Sequence, residues 1–275
     1  MPYLTSTGAL PRTGGAEQLG VGVPGYAHPL LAPAEWAGLN RPGTPLHWAA
    51  LNIDNGPGAR PDPHCLDAAG RLRNARARAL HSEAPHDTVR AAGGRLLGHL
   101  DLALGSRPFG ELVADARSFL DWYRVGGFYL DRCPAERSGL PAVRRLTSTL
   151  AALLGDSDNA DEEGGLLVLG LGTHPYPGYA EAADQLVTFR GPWTDYRWSQ
   201  VAEWTAAYDP GRFAHFVHGV PRTHLEEAVR IARWQGAGTV FFTDRGDARG
   251  HTDPFAALPS YWDEFVSRIG PGISE

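Results

Sequence analysis

RPFGELVADARSFLDWYRVGGFYLDRCPAE, residues 107–136, is the stretch that decides the fold. Apolar residues recur at helical spacing over 109–123, and a short turn follows at 124–127. Phe128-Tyr129-Leu130 is then a β-rich apolar run that ends on the charged pair Asp131-Arg132. A helix that feeds a buried strand with charge at its carboxyl end is the repeating unit of an α/β barrel, whose active sites lie at that end. This stretch therefore predicts a barrel with Asp131 and Arg132 at its functional site.

The rest of the chain repeats the same unit. Seven further apolar runs predict strands, at 19–26, 46–53, 95–102, 166–171, 185–189, 213–217 and 239–243. Helical patterns occupy 33–39, 65–92 (with a suspected surface insertion at 75–88), 140–154, 224–235 and 254–269. The strand runs are continuous and do not alternate, which is typical of parallel strands buried on both faces. Eight such units predict a single-domain (β/α)8 TIM barrel over 19–275, preceded by a flexible N-terminal arm over 1–18.

Composition excludes several functional classes. The net charge of −6 argues against nucleic-acid binding, which needs a basic face. All 25 basic residues are arginine, so Schiff-base chemistry on a lysine is excluded. Cys65 and Cys133 form neither a metal spacing nor a disulfide framework, which predicts free thiols. We expect no cofactor. No signal-peptide pattern and no apolar run of about 18 residues is present, which predicts a cytoplasmic protein without a membrane partner. The oligomeric state stays open.

Four aspartates lie near the ends of predicted strands. Asp131 is the first candidate for catalysis, and Asp101, Asp54 or Asp244 could supply a second carboxylate. Each of those three could instead cap the loop or helix that follows it. We name Asp131, Asp101 and Asp244 as catalytic candidates and place Asp54 among the ligand-binding residues.

Arginines follow two of the same strands. Arg132 and Arg190 could grip an anionic ligand, because a guanidinium binds carboxylate or phosphate through two hydrogen bonds. The alternative is that they neutralise the aspartates around them. Under either alternative the arginines make the predicted pocket less negative than the aspartates alone would, and the sequence does not decide between the two.

Histidines and aromatic residues complete the predicted pocket. His28, His174 and His218 follow three different strands and could in principle hold zinc, but no motif supports a metal. We therefore predict hydrogen-bonded pocket histidines and no metal site. Four aromatic side chains could stack on a sugar or belong to the core: Tyr26, Trp48, Tyr176 and Trp193.

Several short blocks, in order along 19–269, resemble the spherulin-4 (spherulation-specific family 4) barrels. These blocks are VP at 23–24 with Tyr26, LN at 51–52, NGPG at 55–58, LGH at 97–99 leading to Arg107, WY at 122–123, GFYLD at 127–131, Asp184 with VTF at 187–189, TD at 243–244 and LPSYW at 258–262. The resemblance implies a glycoside hydrolase acting on amino-sugar polymers such as galactosamine-containing exopolysaccharide. It also implies an Asp-Glu pair after strand four and a glutamate after strand six.

This sequence departs from the family pattern at both glutamates. Arg132 stands after Asp131, and Arg190 stands at the end of strand six. Most glycosidases need two carboxyl groups, and a guanidinium does not give up its proton near neutrality. We therefore expect a glycoside-hydrolase-like barrel with impaired hydrolysis and a small-molecule or carbohydrate ligand. Two alternatives stay open: a barrel that binds an intracellular anionic substrate in a biosynthetic pathway, and a non-catalytic carbohydrate-binding protein.

Overall fold

A computed structural model describes residues 19–25, 28–41, 43–80, 94–156, 164–246 and 253–269. Eight parallel strands close into a barrel in chain order, with the first strand paired to the eighth. The strands are β1 (Gly20–Val23), β2 (Leu46–Leu51), β3 (Arg95–Asp101), β4 (Gly127–Asp131), β5 (Leu166–Gly170), β6 (Gln185–Pro192), β7 (Phe213–His218) and β8 (Thr239–Phe242). The predicted TIM barrel is confirmed, and every predicted strand overlaps an observed one. The predicted arm over 1–18 lies outside the described residues.

Helices surround the barrel. They are α1 (Pro33–Leu39), α2 (Pro63–Leu80), α3 (Phe109–Ser118, continued by a π-helical turn over Phe119–Tyr123), α4 (Leu140–Gly155), α5 (Trp193–Tyr196), α6 (Leu225–Trp234) and α7 (Trp262–Ile269). α2 continues unbroken to Leu80, so the first part of the suspected insertion at 75–88 is helical. The remainder of that range lies outside the described residues. The predicted helix at 254–269 begins only at Trp262, since Pro259 disfavours helical backbone at the residue before it.

Each longer helix buries one stripe against the barrel. In α6 the buried residues are Leu225, Ala228, Val229 and Ala232, which follow the i, i+3, i+4, i+7 spacing of one helix face. Charged residues cover the opposite face. None of the described helices combines the length and the hydrophobicity needed to cross a bilayer.

The interior of the barrel is filled by aromatic side chains around Trp48. Its ring stacks on Tyr129 with centroids 5.5 Å apart and lies 5.8 Å from the ring of Phe216. Its indole nitrogen donates a 2.8 Å hydrogen bond to the side-chain oxygen of Gln185. Gly22 faces this ring, and a Cβ there would lie 2.7 Å from it. Trp48 is fully buried, so the structure places it in the core and not in a sugar-stacking wall.

A bulge in β6 decides which of its side chains face the barrel mouth. Val187 pairs with Ala214 of β7, but Phe189 pairs with the next residue, His215, so one residue of β6 is extra. The extra residue reverses the alternation of inward and outward side chains. Phe189 therefore packs outside against Tyr196 at 4.7 Å, and Arg190 faces the mouth. Because all eight strands are parallel, their carboxyl ends gather at this same rim.

Candidate functional site

A group of polar side chains meets at the barrel mouth and is called the Asp131 group: Asp131, His99, Arg190, Asp253, Asp101 and Arg132. Asp131 lies at its centre. It is buried at the end of β4. Its Oδ1 accepts hydrogen bonds from the Tyr129 hydroxyl at 3.1 Å, the Arg132 amide at 2.9 Å and Nη1 of Arg190 at 2.9 Å. Its Oδ2 lies 3.3 Å from Nε2 of His99. These contacts hold the carboxylate in one orientation, with a cation directly against it.

Arg190 connects Asp131 to the segment that follows β8. Its Nη2 donates to Oδ2 of Asp253 at 3.0 Å, while Nη1 donates to Asp131. The guanidinium carbon also lies 5.2 Å from the ring centroid of Phe255, within the range of a cation–π contact. Arg190 is thus shared between two carboxylates and one aromatic ring.

Asp101 and Arg132 form a second ion pair beside the first. Asp101 is the register partner of Asp131 on the neighbouring strand. Nε of Arg132 donates to Oδ1 of Asp101 at 2.7 Å, and Nη2 donates to Oδ2, so the contact is bidentate. Arg132 has φ of +48°, in the left-handed region that few non-glycine residues occupy. Two backbone hydrogen bonds join the segment after β3 to the end of β4: the amide of Leu102 donates to the carbonyl of Asp131 at 2.9 Å, and the amide of Leu104 donates to that of Arg132 at 2.8 Å.

The ion pair sets the protonation of Asp101. Burial raises the pKa of this carboxyl, but the hydrogen bonds from Arg132 and from the Ala103 amide outweigh burial and leave the pKa below its ordinary value. Asp101 is therefore ionised near neutral pH. A carboxylate in this state accepts protons and does not donate them.

The sequence predicted four members of this group, Asp131, Asp101, Arg132 and Arg190, and the structure brings all four together. The contacts match the second alternative for the arginines, in which each one neutralises an aspartate. Sequence reasoning missed Asp253 and His99. His99 could have been found from the alternation of strand residues, because it lies two residues before Asp101 and so faces the same side of β3. Asp253 could not have been found in this way, because it does not directly follow a strand.

The model of spherulation-specific family 4 matches residues 20–269. The chain belongs to this family. Among solved structures, Aspergillus clavatus Sph3 in complex with GalNAc matches with a TM-score of 0.70 and 22% identity, covering 92% of this chain and 98% of that chain. That likeness confirms the barrel fold. No curated protein sequence matches the chain.

The other two predicted carboxylates of this spherulin-4 protein are Asp244 and Asp54. Asp244 accepts hydrogen bonds from the amide of Ser260 at 3.0 Å and from its hydroxyl at 2.5 Å, so it holds the segment before α7. Burial raises the pKa of Asp244, but those bonds outweigh it and lower the pKa. These contacts match the capping alternative for Asp244. Asp54 is exposed in the turn after β2.

The aromatic residues predicted to stack on a sugar divide into core and surface residues. Trp193 is buried between the rings of Tyr196 at 6.3 Å and His224 at 5.8 Å, so it packs in the core. Tyr176 is 38% exposed, with the guanidinium of Arg137 at 5.4 Å from its ring. Tyr176 therefore still offers a surface for stacking. Tyr26 lies outside the described residues.

The three predicted pocket histidines have different surroundings. His218 meets the ring of Phe255 edge-on at 5.8 Å, which places it beside the Arg190 contact. His174 is half-buried, and burial lowers its pKa. His28 contacts Cys65 and Asp62 instead, with its Nε2 at 3.5 Å from Sγ and 3.6 Å from Oδ1. Within the described ranges, His28, Asp62 and Cys65 are the one group whose ligand atoms could together hold a metal ion.

Proposed function

We propose that this spherulin-4 barrel binds a carbohydrate at its mouth and has lost the two-carboxylate hydrolysis that the family resemblance implies. The observation that carries the proposal is the 2.9 Å hydrogen bond between Nη1 of Arg190 and Oδ1 of Asp131. It places a permanent cation against the aspartate that this chain retains from the family pattern.

A glycosidase needs one carboxylic acid for the leaving oxygen and a second carboxylate as nucleophile or base. Here Arg132 and Arg190 occupy the two positions where the resemblance implies glutamate. Neither can give up a proton near neutral pH. Asp131 therefore has no partner for the reaction at either position.

Asp101, the register partner of Asp131 on β3, is one substitute for the missing carboxylate. Its bidentate contact with Arg132 holds both of its oxygens, and its pKa lies below the ordinary value. A general acid must carry its proton at the working pH, which calls for a raised pKa. Asp101 is therefore unsuited to that role.

A carbohydrate ligand is supported by the family and by the surface at the rim. Sph3 was crystallised with GalNAc, and this chain has the same fold. Tyr176 presents an exposed ring, and stacking on aromatic faces is a common way to bind the apolar side of a sugar. Aspartates around the mouth offer acceptors for sugar hydroxyls.

Binding and turnover should be measured on the same protein. Calorimetry with galactosamine-containing oligosaccharides should give saturable binding, while a reducing-end assay on the same mixtures should detect no product. Asp131→Asn should alter the binding and leave the absence of product unchanged. New reducing ends formed by the unaltered protein and abolished by Asp131→Asn would overturn the proposal.

The anionic-substrate alternative is favoured by one observation, the 55% exposure of the Arg132 side chain. An anion at Arg190 would have to displace Asp131 or Asp253, which makes that position less suitable. Titration with acidic metabolites tests the alternative. Binding that Arg132→Ala and Arg190→Ala both leave unchanged would eliminate it.

A further inference from the structure

We propose that His28, Asp62 and Cys65 form a binding site for a divalent cation of the zinc class, separate from the Asp131 group. His28 lies in the loop after β1, Asp62 lies just before α2, and Cys65 is in the first turn of α2. Three separate positions in the sequence thus converge on one point in the fold.

The spacing of the ligand atoms fits a tetrahedral ion. Nε2 of His28 lies 3.5 Å from Sγ of Cys65 and 3.6 Å from Oδ1 of Asp62, and all three ligand atoms lie within 4.8 Å of one another. Tetrahedral zinc, with bonds of about 2.0–2.3 Å, places its ligands roughly 3.3–3.8 Å apart. An ion could therefore be accommodated with small side-chain movements.

The chemistry of the donors selects the metal. A thiolate and an imidazole favour zinc, cobalt or copper over magnesium and calcium, which prefer sets of oxygen ligands. Three protein ligands leave a fourth tetrahedral position for water, as in zinc sites that keep an open coordination position.

The carboxylate of Asp62 is held in place before any ion binds. Oδ1 of Asp62 accepts hydrogen bonds from the amides of His64 at 2.9 Å and Cys65 at 3.0 Å. The amide of Asp62 donates to the hydroxyl of the buried Tyr123 at 3.0 Å, and that hydroxyl donates to the carbonyl of Pro57 at 3.2 Å. These bonds fix the loop that carries Asp62 against the π-helical turn.

A cysteine–histidine nucleophile is the competing explanation for the 3.5 Å contact. Cys65 is fully buried, so a substrate cannot reach its sulfur. A dication would offset the charge of Asp62 and take the place of the thiol proton.

Metal binding would require one local rearrangement. The amide of Leu30 donates to Nδ1 of His28 at 3.2 Å, so a neutral ring carries its proton on Nε2. Coordination through Nε2 moves that proton to Nδ1, and the Leu30 amide must then turn towards solvent. The bond lies in an exposed loop, where water can replace it.

Cobalt(II) is the suitable probe, because a thiolate–cobalt bond gives a charge-transfer absorption and a tetrahedral site gives strong visible bands. The tag-free full chain, dialysed against a chelator, should bind one equivalent of cobalt, and zinc should displace it. Cys65→Ser should abolish the charge-transfer band. His28→Ala and Asp62→Asn should weaken binding at least as much as the loss of an outer-shell partner does, roughly 10–100-fold.

Cys133→Ser is the matched control, because Cys133 is the other buried cysteine and should leave the titration unchanged. If Cys65→Ser fails to fold, His28→Ala still tests the site, because His28 lies in a loop outside the hydrophobic core. Absence of one-equivalent binding in the unaltered protein would overturn the proposal. So would a charge-transfer band that survives Cys65→Ser, or an affinity unchanged by His28→Ala.

Discussion

Two neighbouring ion pairs at the mouth differ in how far they are removed from water. In the first, the side chains of Asp131 and Arg190 are 8% and 24% exposed. In the second, those of Asp101 and Arg132 are 14% and 55% exposed. Breaking a buried pair leaves an uncompensated charge, whereas an exposed pair contributes little because water screens it. The two arginines should therefore differ in their importance for stability.

We predict that Arg190→Met lowers the free energy of unfolding by about 1–3 kcal/mol, less than for a fully buried pair because Arg190 keeps some exposure. Arg132→Met, the matched control on the adjacent pair, should lower it by only about 0–1 kcal/mol. Urea unfolding at pH 7 measures both. Equal losses for the two variants would contradict the assignment of Arg190 as the main partner of Asp131.

At the scale of the element, a glycine at the end of β5 and a bulge in β6 shape the site. Gly170 ends β5 beside the Asp131 group, where a Cβ would lie 2.6 Å from the Tyr129 hydroxyl and 3.0 Å from Oδ1 of Asp131. The bulge in β6 turns Arg190 towards the same point. A missing side chain in one strand and an extra residue in the other thus make the ion pair possible.

Gly170→Ala should therefore destabilise the protein by about 1–3 kcal/mol, the usual consequence of overpacking a buried position. Gly70→Ala provides the control, since Gly70 lies within α2 and a Cβ there meets no atom within 4 Å. That control should be neutral or stabilise by up to about 1 kcal/mol, because alanine is the better helix former. Thermal unfolding would compare the two, and a neutral Gly170→Ala would show that the rim is loosely packed.

At the scale of the whole molecule, a closed barrel buries titratable groups that an unfolded chain exposes. His215 of β7 is buried, and its Nδ1 lies 2.9 Å from the hydroxyl of Tyr196. Burial, with a smaller contribution from the charge of His174, lowers the pKa of His215 to about 3. The unfolded chain takes up this proton near pH 6.5, and the folded protein does not.

The barrel should therefore have its full stability from this group above about pH 6.5 and lose it as the pH falls towards 3. One such proton gives a slope of about 1.4 kcal/mol per pH unit. Urea midpoints between pH 7 and 4.5 measure the slope in a range above the titration of most carboxylates. His215→Gln, which keeps a polar partner for Tyr196, should reduce the slope by about 1.4 kcal/mol per pH unit, the contribution of one proton. An unchanged slope would exclude His215 as its source.

The sequence by itself determined the architecture. Eight continuous apolar runs separated by helical patterns predict a parallel barrel because strand and helix periodicities are local properties. The ends of those strands named Asp131, Asp101, Arg132 and Arg190, since the carboxyl ends of parallel strands share one rim.

Only the tertiary structure decided which of these residues touch. Asp253 meets Arg190 across 63 positions of sequence, and His28 meets Cys65 across 37. The bulge in β6 has no sequence signature, and without it the alternation of that strand would turn Phe189, and not Arg190, towards the interior. Pairings of this kind depend on strand register, on the closure of the barrel and on how loops fold over it. These are properties of distant segments in contact, and no local periodicity records them.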